Sequence, residues 1–67
     1  GDTSPGSTTN PVAYEAYLQG LELEFRGSPQ DFAGAVTHFK RATEVDPGYG
    51  KALAELAWIY EESAGNE

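Results

Sequence analysis

Three stretches of the chain place apolar residues with the period of an α-helix, and residues that start or stop helices bound each one. In the first, Tyr14, Tyr17, Leu18, Leu21 and Phe25 fall at i, i+3, i+4, i+7 and i+11, the spacing of one helical face. Small residues, Ala13, Ala16 and Gly20, form a second stripe beside it, and Glu15, Gln19, Glu22 and Arg26 mark the solvated side. Two apolar stripes on one helix predict neighbours on two sides. Asn10-Pro11 opens the segment, because Asn is a strong N-cap and Pro loses nothing at the first helical position. Gly27 closes it, as a glycine just past the last turn commonly does.

Ser28-Pro29-Gln30-Asp31 repeats the start signal, with an acid in the first turn where the helix dipole favours it. Phe32, Ala35, Val36, Phe39, Ala42 and Thr43 form the face predicted to be buried, and Lys40, Arg41 and Glu44 face water. Gly34 sits inside this helix at a cost of about 1 kcal/mol relative to alanine. Asp46-Pro47-Gly48 stops it, since Pro47 disfavours helical geometry at the preceding residue. In the third segment Leu53, Leu56, Ala57, Tyr60 and Ala64 recur at the intervals of the first helix, with Ala52 and Ile59 widening the face. Gly65-Asn66 ends it, with no further pattern for a fourth helix. The expected helices are 11–26, 29–45 and 49–64, forming one all-α unit over 11–67. Residues 1–10 are rich in Gly, Ser, Thr and Pro and are expected to be a flexible leader.

Matching intervals in the first and third helices, with a different helix between them, indicate a helix-turn-helix repeat. Ala35-x3-Phe39, then Ala42 and Pro47, followed by Leu53-x2-Leu56-Ala57-x2-Tyr60, carry a likeness. The segment resembles the tetratricopeptide repeat family, whose pattern is W-x2-L-G-x2-Y, then A-x3-F, then P. Leu stands here for the Trp and Ala for the Gly, and Asp46-Pro47-Gly48-Tyr49 is similar to the junction between consecutive repeats. The first helix departs from the pattern: it needs three or five extra residues before the second, and Ser28-Pro29-Gln30 is the natural insertion. With that longer turn the chain resembles repeats of bacterial multidomain cyclases and transcriptional regulators. The resemblance implies about one and a half repeats, a fragment of an α–α superhelix of three antiparallel helices. Small residues at Ala35, Ala42 and Ala57 would allow close helix approach, Phe39 would fill the space between the first two helices, and Tyr60 and Leu56 would pack back on the second.

The chain has 67 residues, of which 39% are hydrophobic. A domain of this size buries only about 60% of the surface its unfolded chain exposes, so exposed apolar faces are expected to recruit a partner. Four basic and eleven acidic residues leave a net charge of −7, which argues against nucleic acid and anionic membranes as partners. No apolar run approaches the roughly 18–20 residues of a membrane span. Without cysteine, disulfides, thiolate metal sites and Cys nucleophiles are excluded. That composition suits a cytoplasmic protein, with the periplasm equally open.

Candidate chemistry is sparse. His38 has neither a nucleophile nor a second imidazole in the pattern, so a half-buried surface histidine outweighs a general base. Glu22/Glu24 and Glu61/Glu62 are one or two residues apart and diverge on a helix, which makes them poor acid/base pairs. No calcium loop or phosphate-binding glycine motif is present. No cofactor or metal is expected, and an enzyme is not. Trp58 is the most informative single residue. The spacing puts it opposite the Leu53/Leu56/Tyr60 face, on a side shared with Lys51, Ala54, Glu61 and Glu62. The resemblance implies that this side lines a concave groove, so these five residues are the candidate partner-binding set, with Trp58 as an aromatic anchor. Alternatively, Trp58 covers a neighbouring repeat or an oligomer contact. The expected function is a protein-interaction module that binds a basic or amphipathic peptide or protein, or that self-associates, a two-fold dimer being the commonest closed symmetry. The alternative is a structural spacer repeat in a larger regulator or cyclase, with no ligand of its own.

Overall fold

The computed structural model describes the backbone of residues 6–65 and the side chains of residues 6–62. Three helices follow one another: α1 over Pro11–Arg26, α2 over Pro29–Val45 and α3 over Gly50–Gly65. The fold is all-α, and each helix runs antiparallel to the one before it.

The start and stop signals act as the sequence predicts. Asn10 Oδ1 accepts from the N–H groups of Val12 and Ala13 at 2.9 and 3.2 Å, which satisfies two amides that have no partner within the helix. Ser28 Oγ accepts from the Asp31 N–H at 3.0 Å and donates to Asp31 Oδ2 at 2.8 Å. Between these helices Gly27 adopts a left-handed φ of 82° and donates its N–H to the Leu23 carbonyl. That conformation reverses the chain in two residues and suits glycine, which has no Cβ to clash. At the second turn Asp46 Oδ1 accepts from the Gly48 N–H at 3.1 Å, and the Asp46 carbonyl accepts from the Tyr49 N–H at 3.0 Å.

The core lies along the α2 axis. At the closed end Ala13, Ala16, Ala42, Tyr49 and Ala52 are buried together. Toward the other end Ala35, Phe39, Leu56 and Ile59 are buried, with Tyr17, Leu21, Leu23, Phe32 and Val36 packed against them. Tyr17 joins the two groups. Its ring centroid lies 5.1 Å from that of Tyr49 and 5.8 Å from that of Phe39.

Two expected faces are corrected. On α1 the small stripe Ala13, Ala16 and Gly20 is buried, but the larger stripe is not: Tyr14 and Leu18 are about half exposed, and Phe25 is 91% exposed. Gly20 explains the choice. A Cβ there would lie 2.6 Å from the Phe39 ring, so the bare backbone of α1 rests on that ring and the small stripe must face α2. On α3 the buried line is Tyr49, Ala52, Leu56 and Ile59, while Leu53 and Tyr60 are about half exposed. Tyr60 therefore does not seal α3 against α2; Ile59, one residue earlier, takes that place.

Residues 6–10 do not hang free. The Gly6 carbonyl accepts from the Lys51 N–H at 2.9 Å, satisfying an amide in the first turn of α3. The Thr8 hydroxyl donates to Asp46 and accepts from the Asn10 N–H at 3.1 Å. Gly6 Cα would sit 3.1 Å from a Cβ at position 50, so the glycine there lets the strap lie against the helix. The rest of the expected leader, residues 1–5, lies outside the described residues, as do residues 66–67.

Candidate functional site

The first two turns of α2 and the later part of α3 leave a groove at the open end of the stack. It encloses about 520 Å³ and is lined by the α1–α2 turn, the first two turns of α2 and the later part of α3. Ile59 is its buried floor, and Ala33 and Val36 of α2 line the same groove. Trp58 and Tyr60 stand on either side of Ile59, because successive helical residues diverge by about 100°. They are 48% and 49% exposed. Phe32 meets Trp58 with ring centroids 6.4 Å apart and ring planes tilted by 43°. Among the described residues Glu62 is the one carboxylate lining the groove.

Of the five candidate partner-binding residues, the structure brings Trp58 and Glu62 to this groove. Trp58 is not opposite the core face; it flanks that face on the side toward the start of α2. Glu61 and Ala54 are exposed away from the groove, and Lys51 lies in the first turn of α3, where its N–H holds the strap. The sequence reading missed Phe32, Val36 and Tyr60 as groove residues because it assigned all three to the core.

A second cluster lies between α1 and α3. Glu24 Oε2 is shut off from solvent and accepts no hydrogen bond. Burial, together with the neighbouring Glu55 carboxylate, pushes the Glu24 carboxyl up to about 7 from an ordinary 4.5. Tyr17 is raised by burial first and then by Glu55, with Lys51 acting in the opposite direction. Acid pairs sought within single helices could not reveal Glu24 with Glu55. A signal did exist: Glu24 continues Ala13, Tyr17 and Gly20 at i+4, i+7 and i+11, an acid in register with buried residues.

Among the described residues no group of three or more His, Asp or Glu side chains is arranged to hold a metal ion. No helix there is long and apolar enough to cross a membrane. No protein-family model matches the chain, and neither does any curated protein or solved structure.

Proposed function

We propose that the chain is a helical-repeat unit of the tetratricopeptide type that binds a protein partner through the groove between α2 and α3. The observation that carries this reading is the half-exposed pair Trp58 and Tyr60 rising on either side of a buried Ile59. Aromatic rings with few rotatable bonds, beside an apolar floor, supply contact area at low entropic cost. The groove accepts apolar side chains from an amphipathic segment. Glu62 at its edge and a net charge of −7 favour a segment that is basic on its flanks.

Self-association is the second reading, favoured by the exposed Tyr14, Leu18 and Phe25 stripe on α1. The same stripe suits a spacer repeat whose α1 is covered by an adjoining unit. Net like charge opposes pairing of two copies, which ranks a basic partner first.

Because Trp58 is the one tryptophan in the chain, its fluorescence reports groove occupancy directly. Titration with helical peptides of matched hydrophobicity, one set basic and one acidic, should give a blue shift with the basic set only. Trp58→Ala should raise the off-rate of such a peptide, and Glu62→Lys should chiefly lower the on-rate. Equal binding by the acidic set would remove the charge argument. No shift with either set, together with a concentration-dependent dimer in sedimentation, would transfer the proposal to self-association.

A further inference from the structure

The helix register brings Glu24 and Glu55 together. Tyr17 and Tyr49 pack ring to ring between α1 and the start of α3. From that contact Glu24 lies seven residues further along α1 and Glu55 six residues further along the α3 segment. At about 1.5 Å per residue they climb by about 10 and 9 Å, so the two carboxyl groups arrive level. Apart from this side of the stack, α1 and α3 touch sparingly, since each packs mainly on α2. A carboxylate oxygen that is buried, unpartnered and set against a second carboxylate is costly if both groups are charged. One proton removes that cost, because a carboxyl O–H can then donate to the facing carboxylate in a short, charge-assisted bond.

We infer that Glu24 and Glu55 share a single proton and act as a latch, which holds α1 against α3 while the proton is present and lets them part when it leaves. Glu55 is the ionisable group that acts on Glu24. Glu24 and Glu55 in turn act on Tyr17 of α1, along with Lys51 of α3 and Tyr14 of α1. No group of α2 is among those acting on Glu24, and the residues that α2 buries are the apolar Ala35, Phe39 and Ala42. No cation is among the groups that act on Glu24, so loss of the proton leaves two like charges facing each other across the cleft. The raised carboxyl of Glu24, near 7, places that loss around neutrality, where a small change in acidity moves many molecules between the two states. The inference is independent of the groove between α2 and α3, which contains neither residue.

The test uses the whole chain with labelled side-chain carboxyl carbons, followed by NMR from about pH 4 to about pH 9. In parallel, spin labels at Gln19→Cys and Ala54→Cys, both exposed positions, measure the separation of α1 and α3. The absence of native cysteine makes that labelling specific. The expected result is a Glu24 midpoint near 7 and a label separation that lengthens with that midpoint. Glu24→Gln should hold the short separation at high pH, because the amide still donates to Glu55. A Glu24 midpoint in the ordinary carboxylate range would overturn the shared proton. A midpoint near 7 with a constant separation would overturn the latch.

Discussion

Gly20 on α1 lies directly beneath the ring of Phe39 on α2, so closely that a methyl group at position 20 would sit 2.6 to 2.9 Å from three ring carbons. Helix propensity alone says that alanine at position 20 should stabilise the protein by about 1 kcal/mol. Packing reverses the sign. Phe39 is fully buried and its ring has nowhere to retreat, so α1 must shift or the ring must leave its rotamer. Gly20→Ala should cost about 1–3 kcal/mol, read as a lowered urea midpoint. Gly34 provides the control: its added Cβ would meet the terminal Cδ1 of Leu23 at 3.0 Å, and a half-buried leucine tip can rotate away. Gly34→Ala should be neutral or mildly stabilising. Equal losses at the two positions would remove the special role assigned to Gly20.

Phe25 and Phe39 make opposite predictions from the same residue type. Phe39→Ala empties the middle of the core and should cost about 3–5 kcal/mol, comparable with the total stability expected of a chain this size, about 3–10 kcal/mol. Loss of the cooperative unfolding transition is the expected readout. Phe25→Ser should change stability by less than about 0.5 kcal/mol, since its ring is in water. A large loss at Phe25 would mean that α1 presents its other face to the stack.

Stability should fall as pH rises through the window set by Glu24. In the unfolded chain this carboxyl titrates near 4.5 and in the folded chain near 7. Below the lower value both states hold the proton and the fold keeps its full stability. Between the two values the folded state alone retains it, so each rise in pH favours unfolding; above 7 the loss is complete. Allowing for solvent screening, the loss is about 1 kcal/mol. Glu24→Gln should flatten this part of the thermal-melt profile, and an unchanged slope would contradict the burial of this carboxyl.

Much of the fold is legible in the chain because its punctuation is local. Asn10-Pro11 and Ser28-Pro29 start helices by satisfying orphan amides, and the residues that do so are adjacent in sequence. The faces are less legible. Period alone identifies Tyr14, Leu18 and Phe25 as a stripe, but which stripe is buried depends on how near α1 approaches Phe39, and that is decided by the missing side chain at Gly20, nineteen residues away. On α3 a shift of one residue, Ile59 for Tyr60, turns the wall of a groove into its floor. Glu24 with Glu55 is hidden for the same reason: the pair exists only once two helices are aligned. Trp58 is recognisable as an aromatic outside the predicted core face, whereas its neighbours Phe32 and Val36 have the same spacing as core residues and differ only in what α3 leaves uncovered.

Asp46 should be the most sensitive polar residue. It receives the Thr8 hydroxyl and the Gly48 N–H on its two carboxylate oxygens and so ties both the strap and the turn to one side chain. Asp46→Ala should cost about 1–2 kcal/mol, and Thr8→Ala about half of that. A double variant no worse than Asp46→Ala alone would show that the two side chains act through one bond.

A row of helices in which each touches chiefly its sequence neighbours can peel from either end. The bond from the Lys51 N–H to the Gly6 carbonyl changes this, because it closes a circuit from the start of the described chain to the third helix. Detaching the opening segment uncovers the first turn of α3, and α3 cannot fray at that turn without releasing the opening segment. The amide of Lys51 is therefore a sentinel for the whole assembly, and its deuterium exchange should keep pace with global opening rather than with local breathing of an exposed helix end.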